Sequence, residues 1–299
     1  MVSVIEDHRA ADGVESIGAQ WPIAPSTDDE PKVRQVEPAR LPPRARRDLE
    51  LSEAIRRGYE ATFQVYGVRK VWRQLGREGI AVARCPVERL MRSLGLEGVG
   101  RGKKCRTTGG DDNANRPVAR VNRQFTATRP NQLWVAEFTD VATWAGVGYG
   151  AFIIEVFARR IIGGRVARSM PAGLVLDALE PALWSRSRTQ GVGPHSDQGR
   201  QYLSMGYSER LAEGGAVPSM GSVGDSYHNA LAETIIGLYK AEVIPRRGPW
   251  RHRDAVEYAT LEWVDWFNPR RLLEPIGNVP PAELEQAYDR QQEESAIMA

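Results

Sequence analysis

Three strand-like apolar segments follow one another from residue 131 before any helical pattern begins, and this order constrains the fold more than any other feature of the chain. Residues 132–141 are rich in Leu, Val, Trp, Phe and Thr and read as a buried strand. Residues 148–156 and 161–168 read as two more, parted by a tight turn at Arg159-Arg160. Residues 174–184 are helical, with Leu176, Leu179 and Leu183 expected on one side. A short strand should end near Asp197, a helix should cover 204–213 and stop at Gly214-Gly215, and another short strand should cover 216–219. A long helix carrying Glu233 follows. A meander, then helix, strand, helix, strand, helix predicts a mixed α/β sheet.

Two acids stand at consequential places in that order. Asp197 follows a short apolar stretch and precedes Gly199, as at the tip of a strand, while Glu233 lies inside the helical pattern. Carboxylates meeting at a strand end and a helix face suit a divalent metal, because Mg²⁺ takes oxygen ligands and keeps positions open for phosphate. Glu137, in the first strand, is a third acid in the same order. On the helix, Lys240 lies seven residues beyond Glu233 and hence on the same face. Leu231, Ile235 and Leu238 are expected to face the sheet.

Charge divides the chain. Its net +2 hides 23 Lys/Arg against 11 Asp/Glu in residues 30–129, flanked by 1 against 6 in residues 1–29 and 16 against 21 in residues 130–299. A basic middle on an acidic chain points to a polyanion-binding part. Within it, Val68, Val71, Trp72 and Leu75 make one helical stripe. Val87, Leu90, Met91 and Leu94 make a second, opened by Pro86 and capped by Gly95. Arg84, Arg89 and Arg92 are left on the outer face. Two short helices joined by a turn, the second with outward arginines, form a helix-turn-helix pattern. The Gly-, Arg- and Asn-rich stretch after it, with Lys103 and Lys104, reads as a basic linker and a source of phosphate contacts.

These readings give a loosely ordered proline-rich arm (1–47), a helix-turn-helix region (48–98) and a basic linker (99–130). An α/β catalytic core with a C-terminal helix (131–285) and a polar tail (286–299) complete the chain. No apolar run approaches the roughly 18 residues of a membrane span. Residues 1–9 do not read as a secretion signal. Cys85 and Cys105 have no metal-ligand spacing, which argues against zinc and for reduced thiols in a cytosolic protein. His195 reads as packing or DNA contact, and Ser196 lacks a nucleophile frame. Tyr258, Trp263 and Trp266 are expected as one packing stripe on a helix over 254–268. Arg246, Arg247, Arg251 and Arg253 flank Gly248-Pro249-Trp250 as a basic loop suited to DNA.

The strings RPNQLWVAEFT, HSDQGRQY, GSVGDSYHNALAETIIGLYKAE and WFNPRRLLEPIGNVPPAE, with YGVRKVWRQL and CPVERLMRSLGL before them, resemble the second-frame product of insertion sequences of the "IS-three" type. The resemblance covers about residues 50–285. It implies a DNA transposase, a polynucleotidyl transferase with a ribonuclease-H-like, integrase-type core and an Asp-Asp-Glu site. It further implies two Mg²⁺ ions, for which Mn²⁺ may substitute, cleavage at the element's 3′ ends, and strand transfer. Carried onto this sequence, Asp197 and Glu233 would each hold a metal, position 137 would bridge both, and Lys240 would touch DNA. The implied partners are the terminal inverted repeats, target DNA, further copies of the chain, and a small helix-turn-helix first-frame protein.

Position 137 departs from that pattern, which has Asp. One extra methylene moves the carboxylate by about 1.5 Å, against a tolerance of roughly 0.5 Å for a working site. Pro194 in the strand before Asp197, His228 in place of an aspartate, Gly164 in place of a bulky residue, and a shortened first 47 residues point the same way. Two readings follow: a transposase impaired at Glu137, or an inactive remnant that only binds DNA.

Overall fold

The computed structural model describes residues 41–100, 127–168, 172–186, 192–196, 205–215, 219–220 and 230–298. They fall into two compact units: residues 41–61 with 71–97, and residues 62–70 with 98–298.

The first unit is helical. Helix α1 (Pro43–Glu60) opens on a proline, whose missing N–H would be unsatisfied in a first turn anyway. It buries Leu51, Ala54, Ile55 and Tyr59, whereas Leu49 is exposed. Helix α2 (Val68–Arg77) contributes Val71 and Leu75, and helix α3 (Arg84–Ser93) contributes Val87, Leu90 and Met91. Gly95 adopts φ +66°, Leu96 N–H donates to Met91 O, and Gly95 N–H donates to Arg92 O, so α3 ends as its glycine predicts. The Trp72 indole donates to Val82 O at 2.8 Å and Tyr59 Oη to Glu97 O at 2.7 Å, tying both ends of the helix pair.

The second unit is built on one sheet of order β3-β2-β1-β4-β5. Strands β1 (Leu133–Thr143), β2 (Gly146–Glu155) and β3 (Ile161–Ala167) form an antiparallel meander. Strand β4 (Gly193–Ser196) pairs parallel with β1, and β5 (Ser219–Met220) parallel with β4. On one face, Trp134, Ala136, Ala151 and Ile153 pack with Leu174, Val175, Ala178 and Leu179 of helix α4 (Ala172–Ser185). Leu176 and Leu183, expected to lead that contact, sit at its margin. Gly163 of β3 lets α4 come close, since an added Cβ would run into Ala178 O. Helix α5 (Met205–Glu213) is tied to α4 by a forked ion pair, Arg210 to Glu180 at 2.6 and 2.9 Å.

The other face carries helix α6 (Ala230–Glu242), the short α7 (Ile244–Arg247) and α8 (Arg253–Arg270), with α9 (Pro281–Met298) following. Trp263 and Trp266 are buried in α8, but Tyr258 is 70% exposed, so the expected three-residue stripe loses its first member. Asn268 guards the edge strand β3: its side chain accepts from Ile161 N–H at 3.0 Å and donates to Ile161 O at 2.8 Å.

Candidate active site

Glu137 sits in the middle of β1, directly across from Phe152 of β2, which is itself across from Gly164 of β3. Residues opposite one another share a face, so Glu137, Phe152 and Gly164 form a row on the α6 side. Phe152 lies 5.2 Å ring to ring from Tyr239 of α6. A Cβ added at Gly164 would meet the Phe152 ring at 3.5 Å, an ordinary van der Waals contact. Glu137 is half-buried, and its Oε2 is shut off from solvent. An acid therefore stands on a largely apolar floor.

Strands β1 and β4 are paired in parallel register. Leu133, Trp134, Val135 and Ala136 pair with Gly193, Pro194, His195 and Ser196. Glu137 and Asp197 are each the next residue after the last pair, although Asp197 itself lies outside the described residues. Pairing with β1 continues through Pro194, and β5 pairs only with His195 and Ser196. His228, Lys103 and Lys104 also lie outside the described residues.

Glu233 is exposed in the first turn of α6, where a negative side chain complements the helix dipole. The buried stripe of this helix is Ala232, Ile235, Ile236, Tyr239 and Glu242. This corrects the sequence expectation, because Leu231 and Leu238 are only half-buried. Ile236, which lies between Glu233 and Lys240 in the chain, is buried. Lys240 Nζ lies 3.2 Å from Asp140 Oδ1. Asp140 lies three residues beyond Glu137 along β1 and so on the opposite sheet face, yet the long lysine reaches it, and both side chains are exposed. The Lys240 ammonium, through its hydrogen bond and charge, holds the Asp140 carboxyl below the usual carboxylate range. An exposed pair of this kind is weak enough to be exchanged for a phosphate. Among the described residues no three His, Cys, Asp or Glu side chains are grouped for a metal ion.

Glu242, which the sequence reading passed over, anchors α6. It is buried with Arg271: Arg271 Nε donates to Glu242 Oε2 at 3.0 Å, Arg271 Nη2 donates to Oε1, and Trp263 Nε1 donates to Oε2 at 3.0 Å. The signal was its spacing, three residues beyond Tyr239 on the inward stripe. Glu155 is a second missed acid. It is fully buried, accepts from Phe157 and Ala158 N–H at 2.9 and 2.7 Å, and burial pushes its carboxyl up to about 7. Beside it Glu285 pairs with Arg160 at 2.6 Å and Arg186 at 2.8 Å.

In the helical unit Arg84, Arg89 and Arg92 are all exposed, as expected of α3. Arg89 is bound to Asp48 at 2.7 Å and Arg92 to Glu88 at 3.3 Å within the unit.

Residues 127–226 and 215–281 match the integrase core domain family, and residues 46–104 the HTH-like domain family. A transposase for insertion sequence element IS629 of Shigella sonnei is 54% identical over 291 residues, spanning 96% of each chain. The chain belongs to the insertion-sequence transposases. A transposase for IS3411 of Escherichia coli is 52% identical over 189 residues, 62% of this chain and 77% of that one. The catalytic core domain of HTLV-2 integrase superposes on 53% of this chain and 98% of its own length, with 14% identity and a TM-score of 0.43. This transposase has the ribonuclease-H-like fold expected of it, with an integrase core and a helix-turn-helix region, and is a DNA-acting polynucleotidyl transferase of the DDE kind, a class that uses divalent metal. Among the described residues no helix is long and apolar enough to cross a membrane.

Proposed function

We propose that this chain cuts DNA at the 3′ ends of its own insertion sequence and joins the freed ends to target DNA, with Glu137, Asp197 and Glu233 as the carboxylate set. One observation carries the reading: the Ala136–Ser196 pair in the parallel register, with Glu137 and Asp197 next in line and α6 on the Glu137 face. The donor chemistry fits, since all three residues offer hard carboxylate oxygens. They would hold two Mg²⁺ ions, or Mn²⁺ in their place, which when bound stabilise the entering and leaving oxygens of a displacement at phosphorus.

The remaining work belongs to protein groups. Phe152 and Tyr239 make a rigid apolar floor that limits water behind Glu137. Lys240 releases Asp140 to hold a phosphate near the reacting end. Arg84, Arg89 and Arg92, with Lys103 and Lys104, hold the element's terminal repeats by phosphate contacts. The chain works as a homo-oligomer on DNA, with a small first-frame partner where the element encodes one.

Glu137 favours a second reading, a DNA-binding remnant, because its longer side chain displaces the bridging carboxylate. Cleavage of a labelled duplex bearing the element's ends tests the choice. The enzyme reading expects Mg²⁺-dependent cutting that Asp197→Asn and Glu233→Gln each abolish. Tight binding of the duplex without cutting, in Mg²⁺ or Mn²⁺, supports the remnant.

A further inference from the structure

The β1–β2 hairpin ends in a large apolar side chain held out in water. Trp144 is 70% exposed. Its position is not loose: Trp144 N–H donates to Trp250 O at 2.9 Å, and Thr143 Oγ1 donates to Gly146 O at 2.6 Å across the turn. Trp250 is buried and its indole donates to Ile244 O at 2.9 Å. The backbone around the ring is therefore fixed while the ring stays open. Leaving so large an aromatic surface in water forgoes burial energy, so a rigidly presented, exposed tryptophan calls for a ligand.

The surroundings specify the ligand's charge. Residues 244–253 hold four arginines and no acid. Arg247 is taken by Glu262 at 2.6 Å. Arg246, Arg251 and Arg253 have no acidic partner among the described residues. Arg251 lies with its guanidinium 5.6 Å from the Trp144 ring centroid, and Arg253 runs its stem over Gly148 of β2. Between hairpin and loop lies an open groove of about 530 Å³ lined by Thr143, Trp144, Ile244, Pro245, Pro249 and Trp250. That volume falls in the range of small-ligand sites, about 300–1,000 Å³.

We infer that this groove is a subsite for an unpaired nucleotide, with Trp144 stacking on the base and Arg251 and Arg253 holding the flanking phosphates. A flat π-face beside arginines matches a base and its backbone charge, which is how single strands are held without reading sequence. A base inside a duplex already has both faces stacked, so the ring selects an unpaired one. Trp144 lies seven residues past Glu137 along β1, about 23 Å at strand rise, so the subsite grips DNA away from the carboxylates. The inference rests on the DNA-cutting reading only in taking DNA as the substrate.

The test is binding of the full chain to three labelled DNAs: a blunt duplex, the same duplex with a short single-stranded tail, and one whose tail is abasic. Base stacking predicts about tenfold or more tighter binding to the base-bearing tail than to the other two. Trp144→Ala should erase that preference and leave blunt-duplex affinity within about twofold, whereas Trp144→Phe, which keeps a stacking face, should retain most of it. Equal binding of base-bearing and abasic tails by the native chain overturns the inference, as does a preference that survives Trp144→Ala. A Trp144→Ala chain with unchanged DNA binding but an altered oligomeric state would make the ring a copy-to-copy contact, which also overturns it. The carboxylate reading stands or falls on cleavage, so the two failures are distinguishable.

Discussion

Ala136 of β1 and Ser196 of β4 are partners in a parallel pair, and each is followed in the chain by an acid, Glu137 and Asp197. Parallel strands lie about 4.8 Å apart, and the proposed function takes these two acids as ligands of one site. Glu137→Asp should raise Mg²⁺-dependent end cleavage severalfold, because it withdraws by one bond the carboxylate proposed to bridge the metals. Initial rates on a labelled end duplex decide it, and a native chain that cuts as fast as the variant makes Glu137 a competent ligand.

Much of this arrangement is legible in the sequence. The strand-helix order, the glycine that ends α3 and the place of Glu137 on β1 follow from local pattern. The α6 stripe does not. Leucine content points to Leu231 and Leu238, whereas the helix turns Ala232, Ile235, Ile236, Tyr239 and Glu242 inward. A buried acid is unreadable without its partner, and Arg271 is 29 residues away. Gly164 looks like a loss in sequence, and its neighbour across the strand pair, Phe152, is not local to it in the chain.

That buried pair makes a stability prediction. Arg271→Met or Glu242→Leu alone should each cost about 3–5 kcal/mol, since each leaves an uncompensated charge inside. The double variant should recover most of that, falling short by about 1–3 kcal/mol for the Trp263 indole left without its acceptor. Denaturant unfolding of the four proteins checks it, and single losses that simply add in the double variant would show the pair is not coupled.

Glu155 makes a pH prediction. Burial raises its folded-state value to about 7, from 4.5. The folded chain therefore holds this proton more tightly than the unfolded one. The associated stability is present below 4.5 and is lost as pH rises through 7. By linkage the change is at most roughly 3 kcal/mol. Glu155→Gln cannot titrate, so its stability relative to the native chain should improve between about pH 4.5 and about pH 7.5. Parallel pH profiles of the two unfolding midpoints would contradict this.

On the helical unit, replacing Arg84, Arg89 and Arg92 together with alanine should weaken duplex binding. It should also flatten the plot of log affinity against log salt by about 0.9 for each phosphate no longer neutralised. Arg89→Ala alone should do less, because Asp48 already holds that side chain at 2.7 Å. An unchanged salt slope in the triple variant would move the DNA-binding face elsewhere.

The central claim is that Glu137, Asp197 and Glu233 form one carboxylate site, and Mn²⁺ binding to the DNA-free chain, followed by electron paramagnetic resonance, tests it without requiring turnover. The account predicts saturable binding by the native chain that falls at least about tenfold in Asp197→Asn and in Glu233→Gln while both stay folded, as expected when a charged oxygen ligand becomes a neutral amide. Native-like Mn²⁺ affinity in both variants would contradict it.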